Sequence, residues 1–212
     1  MENKVFVLVS LLIIILFTTT TFALITPEPN KSISYYLKVL NANLLGATGT
    51  ATQTASGTSA LPQAPLLTAE CIEEILAKSP AKGNGKYFVQ YGEEYGVDPA
   101  FALAVFRQET SLCNSDVTGV SDSIGCKNKS IGNITCTTNT CYKGFNTYSS
   151  WEEGIRAFYN QIKNGSYYLK AGNTTVETIY PKWANIAVSP IAPETQNVID
   201  FTTQYREKAK TC

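Results

Sequence analysis

Apolar and polar positions divide the chain into stretches of different character. Val5 to Phe17 is apolar except for Ser10, is preceded by Lys4 and is followed by Thr18 to Thr21. Such a run suits the core of an export signal and is short for a membrane-spanning helix. Leu44 to Ala64 is almost entirely Gly, Ala, Thr, Ser and Gln. It offers too little apolar area to offset the entropy of ordering, and it is expected to be a flexible linker. Before it, Ile33 to Leu45 holds enough Tyr, Leu and Val for a short helix.

After Pro65 apolar residues recur at helical spacing and cap signals follow one another. Thr68 caps a helix to about Ala77, with Cys71, Ile72, Ile75 and Leu76 as its buried stripe. A second helix leaves the Gly83 to Gly85 turn and ends near Tyr95, before Gly96. Asp98 caps a third and Pro99 opens it, and every position from Ala100 to Phe106 is apolar, which predicts burial all round. Ser150 to Glu153 and Thr174 to Glu177 read as capping boxes, the second opening a short helix before Pro181. Pro193 opens the last helix, to about Ala209, with Val198, Phe201 or Thr202, and Tyr205 as its stripe. Between them, Cys113 to Tyr148 is rich in Ser, Asn, Thr, Gly and Cys, so loops and a small hairpin are expected. The expected fold class is mainly α, five or six helices around one irregular lobe. Residues 1–23 are read as a signal peptide or anchor, 24–67 as a flexible segment and 68–212 as the globular domain.

Composition narrows the chemistry. Lys plus Arg and Asp plus Glu are 17 each, so no charge excess points to nucleic acid or an anionic membrane. The absence of histidine removes Ser-His-Asp and Cys-His nucleophiles and His-based zinc sites. Acid–base work then falls to carboxylates, and no cofactor and no metal is expected. Thr21-Phe22-Ala23 offers a cleavage site before Leu24, and an uncleaved leader would serve as an anchor, the one route to a membrane. Export follows from either version, to the medium or the cell surface. The 6 cysteines form an even set, as an exported disulfide framework requires. Spacing favours Cys136 with Cys141 across a turn-like tetrapeptide, Cys113 with Cys126 around the loop after the third helix, and Cys71 with Cys212 at the domain ends. Asn-x-Ser/Thr sequons at Asn30, Asn128, Asn133, Asn164 and Asn173 suit a glycosylated exported protein.

Glu109 is the residue that most needs a reason. It closes the apolar third helix, where desolvation and the negative end of the helix dipole both oppose its ionised form. A carboxyl held neutral is what a general acid requires. The residues alone also fit a Glu in a solvated last turn.

The order of the motifs is more specific than any of them. Gly96-Val-Asp-Pro-Ala-Phe-Ala-Leu-Ala leading to Glu109-Thr-Ser, then Ser130-Ile-Gly-Asn133, Gly144-Phe-x-x-Tyr148-x-Ser-Trp-Glu and Thr174-Thr-Val-Glu177 resemble the glucosaminidase branch of the lysozyme-like superfamily, related to soluble lytic transglycosylases. The resemblance runs from about Cys71 to Tyr205 and implies an α+β lysozyme-like fold with helices around a cleft. It implies a glycosidase acting on N-acetylhexosamine-containing cell-wall glycan such as peptidoglycan, with Glu109 as general acid. Asn133 stands where lytic transglycosylases carry a substrate-facing Gln, Ser130 opens the same segment, and Tyr148 matches a Tyr that lines the cleft; packing under a helix start explains Tyr148 equally. Trp151 reads as core. Asp116 and Asp122 are the candidates for a second carboxylate, and both also read as turn residues. Hydrolysis and lytic transglycosylation stay open. The alternative function is a glycan-binding module that keeps the cleft without turnover, while a peptidase finds no catalytic signature in the chain.

Overall fold

The computed structural model describes residues 60–62, 67–137 and 140–212. The chain divides into two units, Met1–Thr52 and Gln53–Cys212, and every described residue belongs to the second. The expected leader, the Ile33 to Leu45 helix and most of the linker lie outside the described residues. Among the described residues no helix is long and apolar enough to cross a membrane.

The helices are α1 (Ala69–Ile75), α2 (Gly85–Tyr95), α3 (Pro99–Thr110), α4 (Ile124–Asn128), α5 (Trp151–Asn164), α6 (Val176–Ala184) and α7 (Pro193–Lys208). Strands β1 (Cys141–Tyr142) and β2 (Phe145–Asn146) pair antiparallel, with Cys141 opposite Asn146 and Tyr142 opposite Phe145. The class is mainly α with a small hairpin lobe, the arrangement expected of a lysozyme-like chain. The five-residue α4, inside the region expected to be loop and hairpin, takes the helix total past the five or six foreseen. Ser123 caps it by accepting from the Cys126 N–H, so one good cap sustains a single turn that composition disfavours.

Helix α3 is the axis of the core. Asp98 accepts from the Ala100 N–H at 2.8 Å, Pro99 follows, and the side chains from Pro99 to Phe106 are all buried. Around it, the Phe101 ring meets Phe158 of α5 at 6.1 Å and Phe106 meets Trp151 at 5.5 Å. Each such fully buried aromatic contributes about 1.5–3 kcal/mol relative to exposure. Arg206 of α7 reaches Asp98 through Nε at 2.7 Å and Nη2 at 2.6 Å, so one carboxylate caps α3 and fastens the last helix to it. Bridges join Cys71 to Cys212, Cys113 to Cys126 and Cys136 to Cys141.

Three local expectations are corrected. Helix α1 stops at Ile75 rather than near Ala77: Leu76 leaves helical backbone at ψ 10°, and the Ala77 N–H turns to the Glu74 carbonyl at 3.3 Å. At α6 the cap is Thr175, paired reciprocally with Thr178, rather than Thr174 with Glu177. The same helix runs through Pro181 to Ala184 instead of ending before it. A proline inside a helix costs about 3 kcal/mol. Beyond Pro181 the partly buried Trp183 packs edge-on against Phe158 at 5.0 Å, and that contact offsets part of the cost. A fourth finding concerns the linker. Ala60, placed in it by composition, is fully buried, donating to the Thr174 carbonyl at 2.8 Å and accepting from the Asp98 N–H at 3.0 Å.

Candidate active site

The end of α3 sets the position of Glu109. After Thr110 the chain turns through Ser111, Leu112 and Cys113 with φ of 50°, 59° and 54°, three consecutive left-handed residues. The bond from Cys113 to Cys126 fixes this turn to α4. Helix α4 ends at Lys129 in the left-handed region, and the Ser130 N–H returns to the Gly125 carbonyl at 2.8 Å, which sends Ile131 to Ile134 back along the end of α3. There Asn133, itself at φ 50°, donates from Nδ2 to Glu109 Oε2 at 3.1 Å. Asn accepts left-handed backbone more readily than Gln, which suits the residue found at this position. A Cβ on Gly125 would lie 2.8 Å from Asn133 Oδ1 and 2.6 Å from Thr110 Cγ2, so only glycine lets the two segments close.

A second donor comes from α6. The Tyr180 hydroxyl donates to Glu109 Oε1 at 3.3 Å. Each carboxylate oxygen thus has one donor. Burial raises the Glu109 pKa from its ordinary value, and the bonds from Asn133 and Tyr180 act in the opposite direction without cancelling it. Burial, reinforced by the charge of Glu109, pushes the Tyr180 pKa far up, so the phenol stays protonated. The two partners differ in one respect. The Asn133 amide group facing Oε2 can only donate, whereas a phenol both donates and accepts. When Glu109 is protonated, the proton therefore belongs on Oε1, where Tyr180 can rotate to accept. Tyr180→Phe removes a bond that favours the carboxylate, so the Glu109 pKa rises further. The alkaline limb of the rate profile should move to higher pH while the low-pH plateau stays within about tenfold; an unchanged limb in the folded variant would refute the contact.

From Asn133 a groove of about 110 Å³ continues past Ile134, Thr135, Gln161, Tyr168 and Trp183. Trp183 packs edge-on to Phe158 at 5.0 Å and lies over the backbone of Gly132, where any Cβ would collide with its ring. The groove thus presents aromatic faces and side-chain amides or hydroxyls side by side, beside the acid.

Ser130 is fully buried, its hydroxyl without a hydrogen-bond partner among the described residues. Tyr148 is half-buried at the start of α5, its N–H on the Asn128 carbonyl at 3.0 Å and its ring beside Gly154. Asp116 is exposed and ion-paired with Lys78, and Asp122 is exposed with Lys127 at 3.1 Å. Neither Asp hydrogen-bonds Glu109, whose partners are Asn133 and Tyr180. Trp151 is core. Of the sequons, Asn128 is buried, Asn133 is committed to Glu109, and Asn164 is exposed at the end of α5. Tyr180 and Trp183 were not singled out; the signal was their shared face with Val176 and Ile179 on a helix read as ending at Pro181. Among the described residues no group of three or more Cys, Asp or Glu side chains could hold a metal ion.

No protein-family model and no curated protein matches this sequence. Among solved structures, S. aureus autolysin E in complex with the muropeptide NAM-L-Ala-D-iGlu is similar at 15% identity and a TM-score of 0.44, covering 71% of this chain and 70% of that one. Likeness at that level leaves the functional reading to the site itself.

Proposed function

We propose that this chain is an exported glycosidase that cleaves N-acetylhexosamine-containing cell-wall glycan, peptidoglycan-like, with Glu109 as the general acid. The observation that carries the reading is the partly buried Glu109 carboxyl at the end of an apolar helix, its pKa raised by burial and its two oxygens oriented by Asn133 and Tyr180. A carboxyl whose pKa is raised by burial, held by Asn133 where that residue opens the groove, can deliver a proton to a leaving glycosidic oxygen. Asn133 and Tyr148 are assigned to substrate contact. Asp116 and Asp122, tied to surface lysines, contribute no second group in this reading. Stabilisation of the oxocarbenium-like centre then falls to the 2-acetamido group of the substrate, and the product arises by attack of water or of the sugar's own C6 hydroxyl. Residues 68–212 are the catalytic domain, delivered outside the cell by the 1–23 leader and held, if the leader persists, on the 24–67 segment.

Mass analysis of products from purified glycan strands tests this directly. New reducing ends mean hydrolysis and anhydro ends mean transglycosylation. Tight binding with intact strands would defeat the enzyme reading and establish a glycan-binding module instead.

A further inference from the structure

A second concavity lies on the side of α3 away from Glu109. Arg107 and Glu109 are two positions apart, hence about 200° apart around the helix. Arg107, Leu112, Val117, Phe201 and Lys208 are among the residues lining this cavity of about 590 Å³. Its centre of charge is Arg107. The guanidinium sits 4.0 Å over the Phe201 ring, donates from Nη1 to Gln204 Oε1 at 2.8 Å and meets the Tyr205 hydroxyl. All three neighbours are neutral, and among the described residues no carboxylate lies within ion-pair distance of Arg107. Lys208 does have a counter-ion, Glu74 at 2.9 Å.

A guanidinium partly withdrawn from water and held by stacking has its donors oriented before any ligand arrives. Gln204, Tyr205 and the Phe201 face satisfy part of this half-buried guanidinium, but none of them supplies a negative charge. The walls add a second requirement. Ile75, Leu112, Val117 and Phe201 are apolar, while Gln108 and Asn114 offer amides. One wall is the left-handed Ser111–Cys113 turn, a conformation that costs roughly 1–2 kcal/mol per residue and collects at functional places.

We propose that this cavity binds a short peptide bearing a carboxylate, its charge on Arg107, its apolar side chains against Leu112, Val117 and Phe201, and its amides toward Gln108 and Asn114. The inference is independent of the role given to Glu109, because it uses the opposite face of α3.

The test uses the full chain, titrated with N-acetyl-alanyl-leucine as the free acid and as its C-terminal amide, with binding followed by calorimetry and by amide shifts. The acid should bind saturably and the amide roughly tenfold more weakly or worse, the ordinary difference when a charge-assisted bond is lost. Arg107→Gln should weaken the acid to the level of the amide. Val117→Glu, on an exposed rim residue, should do the same by repulsion with an unchanged melting temperature. Glu109→Gln should bind the acid normally. Equal binding of acid and amide, unaltered affinity in both folded rim and Arg107 variants, or loss of binding in Glu109→Gln would each overturn the proposal. Saturation of the same residues by inorganic phosphate, with no response to the peptide acid, would replace a carboxylate site by a phosphate site and overturn it equally.

Discussion

Glu109→Gln should abolish glycan cleavage, with a loss of at least about a hundredfold, the lower range for removal of a general acid. The amide keeps the shape of the side chain and its contact with Tyr180, but it has no acidic proton to deliver. The fold should not suffer, and the sign can be worked out. Burial raises the folded pKa of Glu109 above its ordinary 4.5, so the folded state binds this proton more tightly than the unfolded state. Its contribution to stability is therefore fully present below pH about 4.5 and is lost as pH rises through the folded value. The Gln variant escapes that loss and should be at least as stable as the parent at neutral pH. Activity of the parent should fall over the same interval as the acid ionises. Thermal melts across pH, run beside cleavage assays, check both halves. A folded Gln variant that still cuts strands would sink the assignment, and so would a rate independent of pH across this interval.

How much of this site was legible beforehand follows the range of the forces involved. Helix α3 was readable because its causes are local: the Asp98 cap, Pro99 at the first position and an unbroken apolar run. The Ser130 to Asn133 segment was readable as a motif, but the direction of its side chains was not. Ser130 turned out fully buried while Asn133 reached the acid, since the outcome depends on a left-handed Asn133 and on room at Gly125 that only packing reveals. Tyr180 escaped because a proline normally marks a helix end, and the packing that α6 meets beyond Pro181, Trp183 against Phe158, comes from a residue far away in sequence. Ala60 escaped for a similar reason. A composition window averages it with its Thr and Ser neighbours, yet one small residue fits where the backbone of Asp98 needs an acceptor. The choice of Thr175 over Thr174 as cap is a competition between adjacent hydroxyls, settled by which one finds Thr178 at the right distance.

Replacing Cys71 and Cys212 together by Ala should lower the unfolding free energy by about 3–5 kcal/mol, the range for a bridge closing a loop well beyond a hundred residues. The two lie 141 positions apart, so the bond restricts the unfolded chain over nearly the whole described domain. It also holds a helix too short to stand alone. Helix α1 has 7 residues, below the length at which an isolated helix persists in water. Besides the bridge it is held by the Thr68 cap and by burial of Cys71 and Ile72. Fraying of α1 spreads to α2, because Glu73 supplies the acceptors for the Gly83 and Gly85 N–H groups at 2.6 and 2.5 Å. The acid is insulated from this loss. Its surroundings depend on the bond from Cys113 to Cys126, which pins the turn after α3 to the helix leading toward Asn133. Denaturant melts should therefore show the large stability loss for the Cys71/Cys212 variant with cleavage retained under folding conditions. The Cys113/Cys126 variant should lose cleavage even where it is folded, since Asn133 is no longer held against Glu109. Equal activity in the two variants, or non-reducing peptide maps joining Cys71 to another cysteine, would show that the two bridges do not divide stability and site in this way.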